Sequence, residues 1–193
     1  MKKLIVAITG ASGVSYAKRL LEILSRDFLI HLTISEAGAV IIQNELDIEI
    51  NLKDFQLESL IGFPTNNITY HHFSNITAAI SSGSYKTEGM VIVPCSMNTL
   101  GAIAAGISNN LIYRAADVCI KEKRKLILVP RETPLSSIHL ENMLKLSKLG
   151  VCILPAMPGF YHKPHTINEQ VDFIVCKILD QFEIENNLIR RWE

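Results

Sequence analysis

An adjacent arginine and glutamate, Arg131 and Glu132, follow an uninterrupted apolar segment and Pro130. In sheets of parallel strands the ligand crevice lies just beyond the carboxyl ends of the strands, so a cation and a carboxylate placed there can bind an anion and move a proton. A solvated turn, opened by Pro130 and closed by Pro134, is the alternative interpretation. The pair predicts chemistry only if other polar residues gather at the same place.

A second polar turn follows the first apolar segment of the chain and consists of Gly10, Ala11, Ser12 and Gly13. Because it leads into a helical pattern, its backbone amides and the amino end of the helix can face an anion, and a phosphate could bind there. The turn is not the dinucleotide fingerprint, since the third glycine is missing and position 15 is Ser15. A tight connection whose glycines serve only backbone geometry is the alternative.

Hydroxyl groups recur where the predicted strands end, at Ser12, Ser35, Ser96 and Thr99. Each could hydrogen-bond a ligand, and Ser12 could also relay a proton. Helix capping explains Ser96 and Thr99 equally well when each is taken alone. Several strand ends that present small polar donors to one crevice are nevertheless what a planar, phosphate-bearing cofactor requires.

The elements that must position these residues alternate between strand and helix. Apolar, β-branched segments typical of buried parallel strands occupy 4–8, 28–34, 90–93, 126–129 and 151–154. Segments between them have helical spacing, and Thr166 with Glu169 forms a capping box for a last helix. Residues 47–64 show no comparable periodicity. The alternation predicts a doubly wound α/β fold, in which crossover helices cover both faces of a parallel sheet in a three-layer α/β/α arrangement.

Composition limits the function classes. With 193 residues and 48% hydrophobic content, the chain is expected to form one domain over residues 1–193. Nineteen basic residues balance nineteen acidic ones, which argues against nucleic-acid binding. The apolar run after Met1 is too short for a signal peptide, and no stretch is long enough to span a bilayer.

The cysteines and histidines show no metal-binding pattern. The four cysteines are widely scattered in or beside apolar stretches, so we expect buried thiols, and the six histidines lack partners at familiar ligand spacing. We therefore expect no metal and a cytoplasmic location.

Taken together, the ordered motifs resemble those of the flavin prenyltransferase family of the UbiX type, over nearly the whole chain. They are 10–13, 82–84, 94–100, 114–117, 129–135 and 158–161. Flavoprotein cysteine decarboxylases are similar in fold, but the resemblance gives them an asparagine- and methionine-based motif where this chain has Cys95, Ser96 and Met97. The prenyltransferase branch is therefore favoured.

The resemblance implies that reduced FMN and dimethylallyl phosphate are joined to give prenylated FMN, which a UbiD-type decarboxylase then uses. It assigns flavin contacts to Gly10, Ala11, Ser12, Ser35, Ser96, Met97, Asn98, Thr99 and Arg131. It assigns contacts with the substrate phosphate to Lys121, Arg131, Tyr161 and Lys177, and places Ser12, Glu45 and Glu132 near the reacting atoms. It also implies a Rossmann-like subunit and a homo-oligomer, a dodecamer, whose flavin site is built from several subunits.

These residue types suit the implied reaction. Breaking the allylic carbon–oxygen bond leaves negative charge on phosphate, which fixed cations and a phenol stabilise as it develops. Closing the second bond, at flavin C6, requires loss of a ring proton, for which Glu132 is the candidate base. Glu132 could instead be a structural partner of Arg131, and Glu45 could be the solvated end of a helix. Position 177 is an arginine and position 76 a large aromatic in some relatives, whereas this chain has Lys177 and Ile76.

Two other functions remain open on sequence grounds: a flavin-dependent decarboxylase of the same fold, and a non-catalytic FMN carrier. The sequence also leaves open whether the donor is a monophosphate or a pyrophosphate, and which pathway is served, with ubiquinone biosynthesis among the candidates. Trp192, the single tryptophan, is expected to dock on a neighbouring subunit.

Overall fold

A six-stranded sheet forms the centre of the computed structural model, which describes residues 1–191. The strands are β1 (Lys2–Ile8), β2 (Phe28–Ile34), β3 (Ile68–Tyr70), β4 (Gly89–Cys95), β5 (Lys125–Pro130) and β6 (Cys152–Ile153). All pairings are parallel, in the order β3-β2-β1-β4-β5-β6. The chain winds outward from β1 in one direction and then returns to β4, so the switch point lies between β1 and β4.

Helices cover both faces of the sheet. They are α1 (Val14–Leu24), α2 (Glu36–Leu46), α3 (Leu57–Ile61), α4 (Met97–Ala104), α5 (Leu111–Lys121), α6 (Ser137–Lys148) and α7 (Ile167–Gln181), with a 3-10 turn at Ala79–Ser81. Leu4, Val6 and Ile8 pack against α1 and α7, whereas Ile5 and Ala7 face α4 and α5. Alternate residues of one strand therefore enter two separate cores, as the period of a strand requires. The predicted doubly wound, three-layer architecture is confirmed.

The strand predictions hold with two departures. β3 has only Ile68 buried, and its short length gives no apolar segment that the sequence could reveal. The predicted strand 151–154 shortens to the two residues of β6, which pairs with β5 through Cys152 and Ile153 alone. The unassigned segment 47–64 contains the five-residue helix α3.

Helix α6 forms where the periodicity predicts it, but most of its apolar side chains stay outside the core. Within α6 only Leu146 is buried, whereas Ile138 and Leu144 are 67% and 56% exposed. Leu140 is exposed as well. The loop after β6 adds Met157, which is 72% exposed and lines the same cleft as Met143 of α6. A single chain therefore carries an uncovered apolar surface on this side, which we call the α6 surface.

The four thiols are free, and three of them, Cys95, Cys119 and Cys176, are buried. Cys152 is only partly buried, because it lies on the short edge strand, so the expectation of four buried thiols is wrong there. Burial raises the pKa of Cys119 to about 12 and also raises that of Cys95. These groups stay protonated and act as small apolar side chains.

Candidate functional site

The turn after β1 and the turn after β4 are joined across the switch point by the Thr9 side chain. Its hydroxyl donates to the Pro94 carbonyl at 2.9 Å and accepts from the Ser96 amide at 2.9 Å. Thr9 is buried, so these bonds are shielded from water. It is a positioning residue that the sequence interpretation missed, although a hydroxyl immediately after an apolar strand was visible.

The glycines of the Gly10 to Gly13 turn meet two geometric demands. A side chain at Gly10 would lie 2.5 Å from the Ala37 Cβ, so only glycine lets the start of α2 approach the turn. Gly13 has a φ of 109°, in the region that glycine alone adopts readily. Backbone geometry therefore accounts for both glycines.

The carboxylate of Glu45 binds the amino end of α1. It accepts hydrogen bonds from the Gly13 amide at 3.0 and 3.1 Å and from the Val14 amide at 3.0 Å. Negative charge is favoured there because unpaired amides and the helix dipole converge. The carboxylate also helps raise the pKa of the Tyr16 phenol, after the larger effect of burial. Two of the amides expected to face a phosphate are thus occupied by the chain's own anion, so Glu45, although exposed near the end of α2, has a structural role.

Ser35 and Ser96 act as helix caps. The Ser35 hydroxyl accepts from the Gly38 amide at 3.0 Å. The Ser96 hydroxyl accepts from the Thr99 amide at 3.2 Å and donates to the Thr99 hydroxyl at 3.0 Å. Capping, the alternative left open for Ser96, is therefore present, and it fixes these hydroxyls at the carboxyl edge of the sheet.

Asn98, in the first turn of α4, is exposed, while Met97 beside it is buried. The Asn98 amide donates to the Tyr113 hydroxyl at 3.5 Å. With Ser96, this turn presents polar groups at the same edge as the Gly10 to Gly13 turn.

Arg131 and Glu132 are exposed at the carboxyl end of β5. The Glu132 carboxylate accepts from the Thr133 amide at 3.2 Å. Among the described residues, neither Arg131 nor Glu132 takes part in an ion pair. The structural-partner alternative for Glu132 is therefore unsupported. Both residues border an apolar cleft of about 90 Å³, whose other lining residues include Leu135, Met143 and Met157.

Tyr161 and Lys177 both lie close to the Phe173 ring. The Tyr161 and Phe173 ring centroids are 5.8 Å apart, and the Lys177 ammonium lies 5.7 Å from the Phe173 centroid. His162 stacks on the same ring at 5.1 Å. The predicted phenol and one predicted cation are therefore brought into the same neighbourhood.

Lys121 is far from Arg131 within one chain. It ends α5, pairs with Glu122 at 3.5 Å, and lies just before β5 begins, at the amino edge of the sheet. Arg131 follows the other end of this six-residue strand, which spans about 20 Å. Lys177 lies in the second half of α7, which ends near the amino edge of the sheet. The contact that shows this joins Lys125, the first residue of β5, to the carbonyl of Gln181, the last residue of α7. One chain therefore brings Tyr161 and Lys177 close to the Phe173 ring but keeps Lys121 apart from Arg131.

Within residues 1–191, no group of three or more His, Cys, Asp or Glu side chains is arranged to hold a metal ion. No helix in this part of the chain is long and apolar enough to cross a membrane.

Comparisons with known proteins place these features in a family. The Flavoprotein family model matches residues 1–180. The flavin prenyltransferase UbiX of Halalkalibacterium halodurans is 51% identical over 188 residues, covering 97% of this chain and 91% of that protein. Against solved structures, AnUbiX (PadA1) in complex with FMN and dimethylallyl pyrophosphate has a TM-score of 0.89 at 37% identity, covering 100% of this chain and 97% of that one.

Two further structures refine the comparison. A dodecameric FMN-dependent UbiX-like decarboxylase from Escherichia coli O157:H7 gives a TM-score of 0.88 at 42% identity, with 99% of each chain covered. Peptidyl-cysteine decarboxylase EpiD gives 0.60 at 18% identity, covering 95% of this chain and 99% of that chain, a likeness of fold alone.

Proposed function

This chain belongs to the flavin prenyltransferase family, and from that premise we propose that it transfers a dimethylallyl group from dimethylallyl phosphate to N5 and C6 of reduced FMN, giving prenylated FMN. The observation that carries this most directly is the full-length similarity to a structure holding FMN and dimethylallyl pyrophosphate. The sequence relatives carry the name flavin prenyltransferase, which does not favour the decarboxylase or carrier alternatives. We treat residues 1–193 as one domain, because both cores share one sheet.

FMN binds, in this proposal, at the switch point between β1 and β4. The residues that would contact it are Gly10, Ala11, Ser12, Ser35, Ser96, Met97, Asn98, Thr99 and Arg131. The joined turns after β1 and β4 support this, because the Thr9 hydroxyl holds them at a fixed separation. Exposed polar groups at this edge fit the polar parts of a flavin, and the small side chains of the first turn leave room for its ring.

The departing phosphate is held by Lys121, Arg131, Tyr161 and Lys177 from more than one subunit. Fixed positive charge lowers the barrier as negative charge develops on the phosphate oxygens. Arg131 supplies a planar fork, and the lysines supply point charges. The distance between Lys121 and Arg131 in one chain supports a shared site, and the exposed α6 surface supports association. By analogy with the dodecameric relative, we propose a homododecamer.

Proton transfer falls to Glu132, with Ser12 as a relay. Glu132 is exposed at the carboxyl end of β5, so its carboxylate is accessible to a ligand bound at this edge. Glu45 contributes next to the reacting atoms by fixing the turn that carries Ser12, since its carboxylate binds the Gly13 and Val14 amides.

The product would pass to a UbiD-type decarboxylase in the cytoplasm, where reduced flavin and free thiols persist. Ubiquinone biosynthesis is one pathway that such a decarboxylase can serve.

Mass spectrometry of the flavin after anaerobic turnover tests the proposal. Protein, reduced FMN and dimethylallyl phosphate should yield a flavin heavier by one prenyl group, whereas Glu132→Ala should still bind flavin and lose at least about a hundredfold in kcat. Unmodified flavin together with decarboxylation of an aromatic acid in the absence of donor would support the decarboxylase. Flavin binding and delivery that are equal in wild type and Glu132→Ala, with no new mass, would support the carrier.

A further inference from the structure

The carboxylate of Asp180, near the end of α7, is shared by several donors. The Arg191 guanidinium binds it in a bidentate manner, Nη2 to Oδ1 at 2.7 Å and Nη1 to Oδ2 at 3.2 Å. The Asn186 amide adds a bond to Oδ1 at 3.2 Å. The Lys177 ammonium, one helical turn earlier, lies 3.9 Å from Oδ2. Asp180 thus engages Arg191 closely and Lys177 only loosely.

Arg191 reaches Asp180 because the segment after α7 folds back over the helix. The Ile184 amide donates to the Leu179 carbonyl at 3.0 Å, and Leu188 and Ile189 pack against the core. The Arg191 hydrogen bond is the largest of the effects that lower the pKa of Asp180, so the carboxylate is charged at neutral pH. A charged carboxylate three residues from a lysine on one helix is close enough to form an ion pair with that lysine.

We propose that Arg191 is a positioning residue for Lys177. By engaging both oxygens of Asp180, it keeps this carboxylate from neutralising the Lys177 ammonium, which stays available to the prenyl-donor phosphate. The inference rests on the proposed function, in which Lys177 binds that phosphate. Without Arg191, Asp180 and the phosphate compete for the same ammonium, and donor binding weakens.

Steady-state kinetics of full-length variants at saturating reduced FMN test this inference. Arg191→Ala should raise KM for dimethylallyl phosphate about fivefold with little change in kcat, the ratio expected for one partly exposed ion pair. Asp180→Asn should not raise KM. The double variant Arg191→Ala with Asp180→Asn also lacks the Arg191 contact. Its KM should nevertheless return to within about twofold of wild type, because the competing Asp180 charge is gone.

A role confined to fastening the segment after α7 gives a different pattern. In that case KM for dimethylallyl phosphate in the double variant is raised at least as much as in Arg191→Ala, and this result overturns the proposal. An unchanged KM in Arg191→Ala overturns it as well. Arg190→Ala is the matched control and should leave KM unchanged, because Arg190 is exposed and is not a ligand of Asp180. If Arg191→Ala does not fold, Arg191→Gln removes the same charge and should raise KM in the same way.

The failure of the proposed function is separable from the failure of this inference. If the wild type makes no prenylated flavin, the proposed reaction is wrong. Dissociation constants for inorganic phosphate, measured calorimetrically on the FMN-loaded protein, then rank the same variants. Weaker binding in Arg191→Ala with recovery in the double variant supports the Asp180 competition, and identical constants throughout reject it.

Discussion

Among single residues, Thr9 shows how one side chain organises the edge of the sheet where the flavin is proposed to bind. Its hydroxyl donates to one turn and accepts from the same turn two residues later, so the ends of β1 and β4 are linked through a buried group. Glu45 likewise fixes the amino end of α1, because its carboxylate accepts hydrogen bonds from the Gly13 and Val14 amides. Neither residue needs to touch a ligand to matter for the site.

Thr9→Val keeps the shape of the side chain and removes both hydrogen bonds. Because the partly buried Ser96 amide loses its partner and the buried bond to the Pro94 carbonyl is lost, we expect the free energy of unfolding to fall by about 1–3 kcal/mol, measured by chemical denaturation. Thr33→Val is the matched control. Thr33 is equally buried, but its hydroxyl has no hydrogen-bond partner, so this change should be neutral or stabilising. Equal losses in the two variants would contradict the role given to Thr9.

At the level of elements, much of the fold follows from the sequence because burial leaves a periodic signature. The strand and helix alternation predicts the sheet, whereas the separation of Lys121 from Arg131 becomes visible only in the structure, where α5 ends just before β5 begins. The partner of Glu45 could not be predicted, since Gly13 lies 32 residues away and the helical pattern alone marks Glu45 as a solvated end. The contacts of Asp180 could not be predicted from the sequence either, because they depend on how the segment after α7 folds back. The Trp192 prediction lies outside the described residues.

Strand β2 carries a histidine whose protonation should weaken the fold. His31 Nδ1 is 2.9 Å from His71 Nε2, and its Nε2 is 2.9 Å from the Tyr85 hydroxyl. Burial, followed by the charges of His71 and Lys3, lowers the pKa of His31 to about 4. Between pH 6.5 and 4 the unfolded chain therefore binds a proton that the folded chain does not, and stability is lost as the pH falls through this range.

We expect this histidine to remove about 1–2 kcal/mol of unfolding free energy between pH 7 and pH 4, after allowance for partial exposure. The measurement is a series of denaturation curves over that range for wild type and His31→Asn, which should lose this part of the pH dependence. His165→Gln, a change at an exposed imidazole, should follow the wild-type curve. Parallel curves for wild type and His31→Asn would refute the assignment.

At the scale of the whole molecule, one chain leaves the α6 surface uncovered, with Ile138, Leu144 and Met157 more than half exposed. It also keeps Lys121 and Arg131 apart, at opposite ends of β5. Apolar patches of this kind commonly mark protein interfaces. Burial between copies, in the assembly proposed above, would account for the apolar face of α6.

Leu144→Glu should break the assembly and spare the fold. A carboxylate buried at an apolar interface carries a large desolvation cost, whereas the same side chain is solvated on the separate chain. We expect sedimentation velocity to show smaller species, with prenyl transfer lost and the far-ultraviolet circular dichroism unchanged. Lys148→Glu, a change at an exposed polar position of the same helix, is the control. An assembly of wild-type size in Leu144→Glu would exclude this face as an interface.

The span of β5 between Lys121 and Arg131 has a genetic consequence. If each site draws Lys121 from one copy and Arg131 from another, a variant without Lys121 and a variant without Arg131 are each inactive alone. Each variant nevertheless retains the cation that the other lacks. Co-expression of the two variants would then restore turnover at the sites that combine an intact Lys121 from one copy with an intact Arg131 from another. Two mutant alleles of the same gene would thus complement each other within a mixed oligomer.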